Sequence, residues 1–248
     1  MTQRLALVTG GEGGIGTEIC RQLATQGRRI VTTCLDPERE NIAAWVENLR
    51  AEGIDADWVQ CDVSDYDACV AMAEDVASRF GRVEVLVNVA GITRDGFLHK
   101  MENEQWRSVI DINLNGAFNV TRQFVAGMRE AGFGRVVNIS SVNGQSGQFG
   151  QTNYSAAKAG LHGFTMALAK EGAPKGVTAN TVSPGYVKTS MTDAIPDQVR
   201  ESIVAQIPAG DMGAPSDIAR AVAFLTADEA RYIHRAHLPV TVALFCSF

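Results

Sequence analysis

The chain has 248 residues, 46% of them apolar and 7% aromatic, enough for one large core in a single domain spanning 1–248. Its 28 acidic against 22 basic side chains leave a net charge of −6, and no Lys/Arg run forms a phosphate-binding stripe, which argues against nucleic acid and anionic membranes as partners and for a small molecule. Cys20, Cys34, Cys61, Cys69 and Cys246 are dispersed and never form a C-x-x-C pair, which fits the cytosol better than a disulfide framework or a zinc site, and no run of about 18 apolar residues could span a bilayer.

In chain order, β-branched runs alternate with stretches of helical period. The strand candidates are "RLALVT", "RIVTTC", "ADWVQC", "VEVLVN", "GRVVNIS" and "GVTANTVS". The first begins within five residues of the N-terminus and leaves no room for a signal peptide. Alternation of this kind means βαβ units, and runs apolar on both faces belong to a parallel sheet. The expected fold is a single-domain α/β Rossmann-type doubly wound sheet of about seven strands with helices on both faces. No repeat or linker interrupts it. "YVKTSMTDAIPDQ" and "IPAGDMGAPSD" are the expected mobile elements, a substrate lid at about 186–215.

Directly after the first strand stands "TGGEGGIG", and a helix is expected from Ile15 to about Gln26. Glycines allow positive φ and close backbone approach, and a helix aims its first amides at whatever fills the turn, which suits a dinucleotide pyrophosphate. Further on, "YSAAK" places Tyr154 and Lys158 four residues apart, on one face of a helix. That spacing alone arises by chance in roughly one of every two or three chains this long, so it needs company. His99, His162, His234 and His237 show no metal-ligand spacing and read as loop or helix-surface residues, Ser140 as a structural hydroxyl, and Trp45, Trp58 and Trp106 as packing.

The glycine spacing T-G-x-x-x-G-x-G, with Tyr154 and Lys158, resembles the short-chain dehydrogenase/reductase family over nearly the whole chain. Further motifs agree. Asp62 in "CDVSD" matches the acidic residue that contacts the adenine, with Val63 beside it, and "NVAG" matches the family's N-N-A-G at Asn88, Ala90 and Gly91 but departs at Val89. Asn113 in "INLNG" and Ser141, thirteen residues before Tyr154, match the catalytic asparagine and serine. Pro184 and Gly185, followed by Val187 and Thr189, match the segment near the nicotinamide. The resemblance implies binding of the dinucleotide by Gly10, Gly14, Ile15 and Gly16 together with these positions and with Tyr154 and Lys158. It also implies that Tyr154 donates the proton, Lys158 lowers the phenol pKa, Ser141 polarises the carbonyl and Asn113 holds a water leading to Lys158.

Within the family, "RVVNISSVNGQSGQFGQTNYSAAKAGLHGFTMALA" resembles the acetoacetyl-CoA reductases of polyhydroxybutyrate synthesis. That implies acetoacetyl-CoA as substrate, (R)-3-hydroxybutyryl-CoA as product, a homotetramer, and an acyl site at Asp95, Gln148, Gln151 and Tyr186. Two alternatives are a 3-oxoacyl-[acyl-carrier-protein] reductase and a non-catalytic dinucleotide sensor. The first needs a basic docking surface, and in "GMREAGFG" Glu130 offsets Arg129; the second usually lacks the tyrosine or lysine. In "TTCLDPERE", Asp36 stands beyond the second strand and, with Glu12, favours NADH over NADPH, while Arg39 could swing toward a phosphate. The C-terminal "YIHRAHLPVTVALFCSF" departs from the family's T-G turn and G-G pair at His234-Arg235 and Thr241-Val242-Ala243. Strand seven is still expected from "LPVTVALF", with disturbed edges and tetramer contacts.

Overall fold

A computed structural model describes residues 3–38, 41–189, 192 and 197–244 of the chain. Strands β1 (Leu5–Thr9), β2 (Arg29–Cys34), β3 (Ala56–Gln60), β4 (Val83–Asn88), β5 (Gly134–Ile139), β6 (Val177–Pro184) and β7 (His237–Val240) form one sheet of order β3-β2-β1-β4-β5-β6-β7. All pairs are parallel. The helices are α1 (Gly14–Ala24), α2 (Ile42–Ala51), α3 (Tyr66–Phe80), α4 (Asn103–Ile110), α5 (Gly116–Ala131), the single turn α6 (Asn143–Ser146), α7 (Thr152–Gly172), α8 (Asp197–Gln206) and α9 (Pro215–Thr226).

The period-two alternation of β1 decides which helices lie where. Leu5 and Leu7 face a layer built from Cys69, Met72 and Val76 of α3, Val120, Phe124 and Met128 of α5, and Leu168 of α7. Ala6 and Val8 face the opposite layer, with Ile19 and Leu23 of α1 and Ile218 and Val222 of α9. The three- and four-residue spacings put these side chains on one stripe of each helix. Burying each Leu, Ile or Val stabilises by about 1.5–3 kcal/mol, so the sequence has only one low-energy way to sandwich the sheet. Asp65 starts α3 by accepting from the amides of Asp67 and Ala68 at 2.9 and 3.1 Å.

The order in which strands are added to the sheet reverses between β1 and β4, which opens a crevice at the carboxyl ends of the central strands. At the far edge, β7 forms but is shorter than the expected "LPVTVALF". It pairs with β6 from Thr181↔His237 to Pro184↔Val240 and ends there. The cause is local: Val242 and Ala243 have φ of 45° and 64°, and Arg235, just before the strand, has φ of 58°. Glycine alone adopts such φ without strain. Among the described residues no helix is long and apolar enough to cross a membrane. Arg39 and Cys246 lie outside the described residues, as does part of the expected lid at 186–215. Its described ends are tied together by Gly213 N donating to Tyr186 O (2.9 Å) and Lys188 N to Gly213 O (2.9 Å).

Candidate active site

The crevice holds a cavity of about 550 Å³. Gly10 leaves β1 with φ of 63°, and a Cβ on Gly16 would run into the Gly10 carbonyl. Gly11 N donates to Thr32 Oγ1 at 2.8 Å, which pins the turn to β2. Helix α1 begins at Gly14 with neither a side-chain cap nor an acidic residue in its first turn, so its amides and positive dipole end remain available to an anion. Gly10, Gly14, Ile15 and Gly16 form this wall, and Asp62, Val63, Ala90 and Gly91 face it. Thr9 Oγ1 fixes the facing loop by accepting from Val89 and Ala90 amides at 3.0 and 3.1 Å. The Val89 side chain, where the family has asparagine, packs into the core layer of α1 and α9. A dinucleotide fits the glycine-lined turn, the unblocked helix start and the size of the crevice.

At the other end, α7 presents Tyr154 and Lys158. Lys158 Nζ lies 5.5 Å from the Tyr154 ring centroid and donates to the Ile139 carbonyl at 2.8 Å. Asn153, fully buried, sets the phenol: its Oδ1 accepts from Tyr154 N at 2.8 Å, and its amide donates to the carbonyls of Arg94 and Gln105, both at 3.0 Å. Ser141 Oγ accepts from Asn143 N at 3.1 Å. Asn113 sits in a π-helical segment, Asp111–Asn115, between α4 and α5. The widened turn lets its amide donate to the carbonyls of Ile92 and Val109, both at 2.9 Å, while its Oδ1 accepts from Ile92 N at 3.1 Å. A small void of about 10 Å³ is bounded by Asn113, Lys158, Thr9 and Asn88, among others.

The electrostatics differ in one respect from expectation. Burial lowers the Lys158 pKa from its ordinary value to about 8. The Tyr154 pKa is raised rather than lowered: burial is the main cause, Asp95 adds to it, and the Ser141 hydroxyl opposes it. Desolvation of the phenolate dominates, and Lys158 is not among the groups that shift it. Tyr154 is therefore protonated at neutral pH.

Asp95, Gln151, Tyr186, Pro184, Gly185, Val187 and Thr189 also line the cavity. Gln151 is held in place, donating to the Asp95 carboxylate at 3.0 and 3.1 Å and accepting from Asn143 Nδ2 at 2.9 Å. Gln148 does not line the cavity; it is exposed and its Nε2 donates to the Tyr186 hydroxyl at 3.3 Å. Asn88 is no part of the main cavity either. Its amide is spent inside the sheet, on Thr121 Oγ1 (3.0 Å) and Asn138 Oδ1 (2.7 Å), so it braces β4. Asp36 stands outside the cavity wall, which is formed there by Thr33, Leu35 and Glu12, because the aspartate lies two residues past the end of β2. Of the histidines, His99 is exposed, but His162 is buried, with its ring centroid 4.2 Å from that of half-buried His237 and tilted by 30° to it. Its position, four residues after Lys158, is the signal that would have placed it on the inner face of α7. Trp45 packs and donates to Thr17 Oγ1 at 3.0 Å, whereas Trp106 is exposed on α4.

A family model described as short chain dehydrogenase matches residues 4–200. The chain is 55% identical to an acetoacetyl-CoA reductase of Allochromatium vinosum over 98% of each chain, and 53% identical to one of Cupriavidus necator over 94% of each. It is 43% identical to a 3-oxoacyl-[acyl-carrier-protein] reductase of Staphylococcus aureus over 92% of each.

Proposed function

The chain belongs to the short chain dehydrogenase family, of nicotinamide-dependent oxidoreductases acting on CH–OH groups, and from this we propose that it is an acetoacetyl-CoA reductase that forms (R)-3-hydroxybutyryl-CoA. The observation that carries the proposal is the convergence of Tyr154, Lys158, Ser141 and Asn113 on one end of a cavity whose other end is the glycine turn at the start of α1. Identity falls from 55% to 43% between the acetoacetyl-CoA reductases and the acyl-carrier-protein reductase, and Arg129, a cation that could dock an acidic carrier, is turned onto the Glu171 carbonyl. Purified protein is expected to oxidise reduced nicotinamide with acetoacetyl-CoA at a kcat/KM well above that for an acetoacetyl-carrier-protein. The reverse order of preference would favour the second substrate.

When bound, the cofactor supplies a hydride to the 3-keto carbon. The chain's own residues manage the charge that then develops on the ketone oxygen. Ser141 hydrogen-bonds that oxygen, Tyr154 gives it a proton, and the Lys158 ammonium beside the ring stabilises the resulting phenolate. The void between Asn113 and Lys158 has about the room one water needs, which supports Asn113 as the holder of a water that returns the proton. Gln151, fixed by Asp95 and Asn143, and Tyr186, with Gln148 bonded to its hydroxyl, are proposed to orient the thioester.

The pH dependence follows from these protonation states. Lys158 titrates at about 8, and Tyr154, above its ordinary value, stays protonated on both sides of that point. Rising pH therefore removes the ammonium first. The kcat/KM for reduction is expected to be level below about pH 7 and to fall as pH rises through about 8. Lys158→Arg, whose guanidinium stays charged, is expected to be slower but to lack that break. A wild-type profile that stays level to about pH 9.5 would remove Lys158 from this role.

We propose NADH as the preferred cofactor, on the strength of Glu12 in the cavity wall, where a carboxylate would repel a 2′-phosphate. Repulsion at a half-solvated site amounts to roughly 1–2 kcal/mol. Glu12→Gln is accordingly expected to move the kcat/KM ratio toward NADPH by about 5- to 30-fold, and Asp36→Ser by less. A larger shift from Asp36→Ser would return the discrimination to that residue. We further propose a homotetramer, because Trp106 of α4, Phe118 of α5, Phe224 of α9 and Tyr232 present exposed apolar surface.

A further inference from the structure

His162, one turn beyond Lys158 on α7, is 7% exposed, does not line the cavity and has no part in the proton transfer described above. Its Nε2 stands 3.0 Å from Ser140 Oγ, and its Nδ1 stands 3.2 Å from Thr181 Oγ1 on β6. Ser140 Oγ in turn donates to the Lys158 carbonyl at 2.8 Å. Burial and the His237 ring against it lower the His162 pKa to about 4, so the imidazole is neutral at working pH and carries one N–H. The partners decide where that proton sits. Ser140 has a single proton and gives it to the Lys158 carbonyl, so its oxygen accepts from Nε2–H. Nδ1 is then left as the acceptor facing the Thr181 hydroxyl, whose single proton it shares with the Ala236 carbonyl at 3.3 Å. His162 and Ser140 thus donate in one direction, and the line ends on the backbone of the catalytic lysine.

The end point matters because the same stretch is tied a second time. Lys158 Nζ donates to the carbonyl of Ile139, the residue before Ser140, and Ser141 is the residue after it. The exit of β5 and the lysine turn of α7 are therefore cross-linked by two hydrogen bonds that run in opposite directions. His162, itself facing Thr181 on β6, backs one of them from α7. Hydrogen bonds in series polarise one another, and a shift of about 1 Å in a catalytic group costs on the order of 10²-fold in rate. We propose that His162 is a positioning residue, which, through Ser140, holds the Ser141 strand exit and the Tyr154–Lys158 turn in the register that ketone reduction needs.

As a property of the proposed reductase, this role rests on that assignment. Its test compares His162→Leu, which fills the volume without hydrogen bonds, with His162→Gln, whose amide N–H can reach Ser140 from the same side. His162→Leu is expected to lower kcat about tenfold while KM for acetoacetyl-CoA and Kd for the dinucleotide stay within about twofold, and His162→Gln to recover most of the loss. Ser140→Ala is expected to lose as much, and the double variant Ser140→Ala/His162→Leu no more than either alone. Should His162→Leu fail to fold, Ser140→Ala alone and combined with His162→Gln make the same comparison. Unchanged kcat in both single variants, or losses that multiply, would overturn the role, as would a lower Tm with kcat per active site intact. A second readout needs no substrate: tyrosinate absorbance, measured against a Tyr154→Phe background, is expected to show the Tyr154 ionisation displaced by about half a pH unit or more in His162→Leu and restored in His162→Gln. If the wild-type protein reduces no 3-ketoacyl thioester, the reductase assignment fails by itself, and this ionisation still decides whether His162 positions Tyr154.

Discussion

Tyr154→Phe is expected to cut the turnover of acetoacetyl-CoA reduction by at least about 10²-fold while leaving dinucleotide affinity within about twofold. The substitution removes one oxygen. The ring stays in place beside Lys158, 5.5 Å from Nζ, and the backbone amide stays on Asn153, so the cavity keeps its shape. What disappears is the acid that, among the described residues at that end of the pocket, is held protonated by burial. Ser141 is a weaker acid and is already engaged as an acceptor from Asn143 N. Steady-state kinetics and a fluorescence titration with reduced dinucleotide measure the two halves of the expectation. More than about a tenth of wild-type turnover would assign the proton to another donor.

The second large effect lies at the edge of the sheet. Arg235, Val242 and Ala243 hold φ of 58°, 45° and 64°. A left-handed conformation costs a non-glycine residue roughly 1–2 kcal/mol, and more for β-branched valine, though glycine returns part of this through its freer unfolded chain. Replacing His234-Arg235 by Thr-Gly and Val242-Ala243 by Gly-Gly is expected to stabilise the protein by on the order of 3 kcal/mol. For a domain of this size that raises Tm by roughly 6–12 °C. Calorimetry measures it, and light scattering on the same samples measures the oligomer. No change in either would mean that the strand end relaxes without strain. Because the family pattern that the sequence resembles has glycine there, the mass of the purified protein is the companion measurement: it tells whether the purified chain carries these residues at all.

The regular elements were legible because their cause is local. Strands β2, β4 and β6 read as β-branched runs, and the alternation of Leu5, Ala6, Leu7 and Val8 already separates the two faces of β1. The glycine turn and the Tyr154–Lys158 pair were legible for the same reason, since both are spacings within one turn. Long-range partners were not. Asn88 stands off the main cavity with its amide nitrogen on Thr121 and Asn138, thirty-three and fifty residues away, which no local spacing states. His162 reads as surface in the sequence because its partners, Ser140 just past β5 and Thr181 on β6, are about twenty residues away in either direction. The direction of the Tyr154 shift depends on how deeply the phenol is buried, and no spacing in the sequence states that. Asp36 shows the limit of counting from a strand end: two residues are enough to take a carboxylate out of a wall.

The widened turn at Asp111–Asn115 makes the length of this stretch as binding as its composition. A wide turn of this kind holds one residue more than an α-helical turn, so α4 and α5 keep their faces on either side of it. Deleting one residue between Asp111 and Asn115 would return the stretch to plain α-helix, keep Val120, Phe124 and Met128 in the core, and take from Asn113 the backbone that seats its amide on Ile92 and Val109. Such a deletion is expected to leave a folded protein with little activity, whereas a deletion within α5, where each residue turns the helix by about 100°, is expected to drag those three side chains off the core and unfold it.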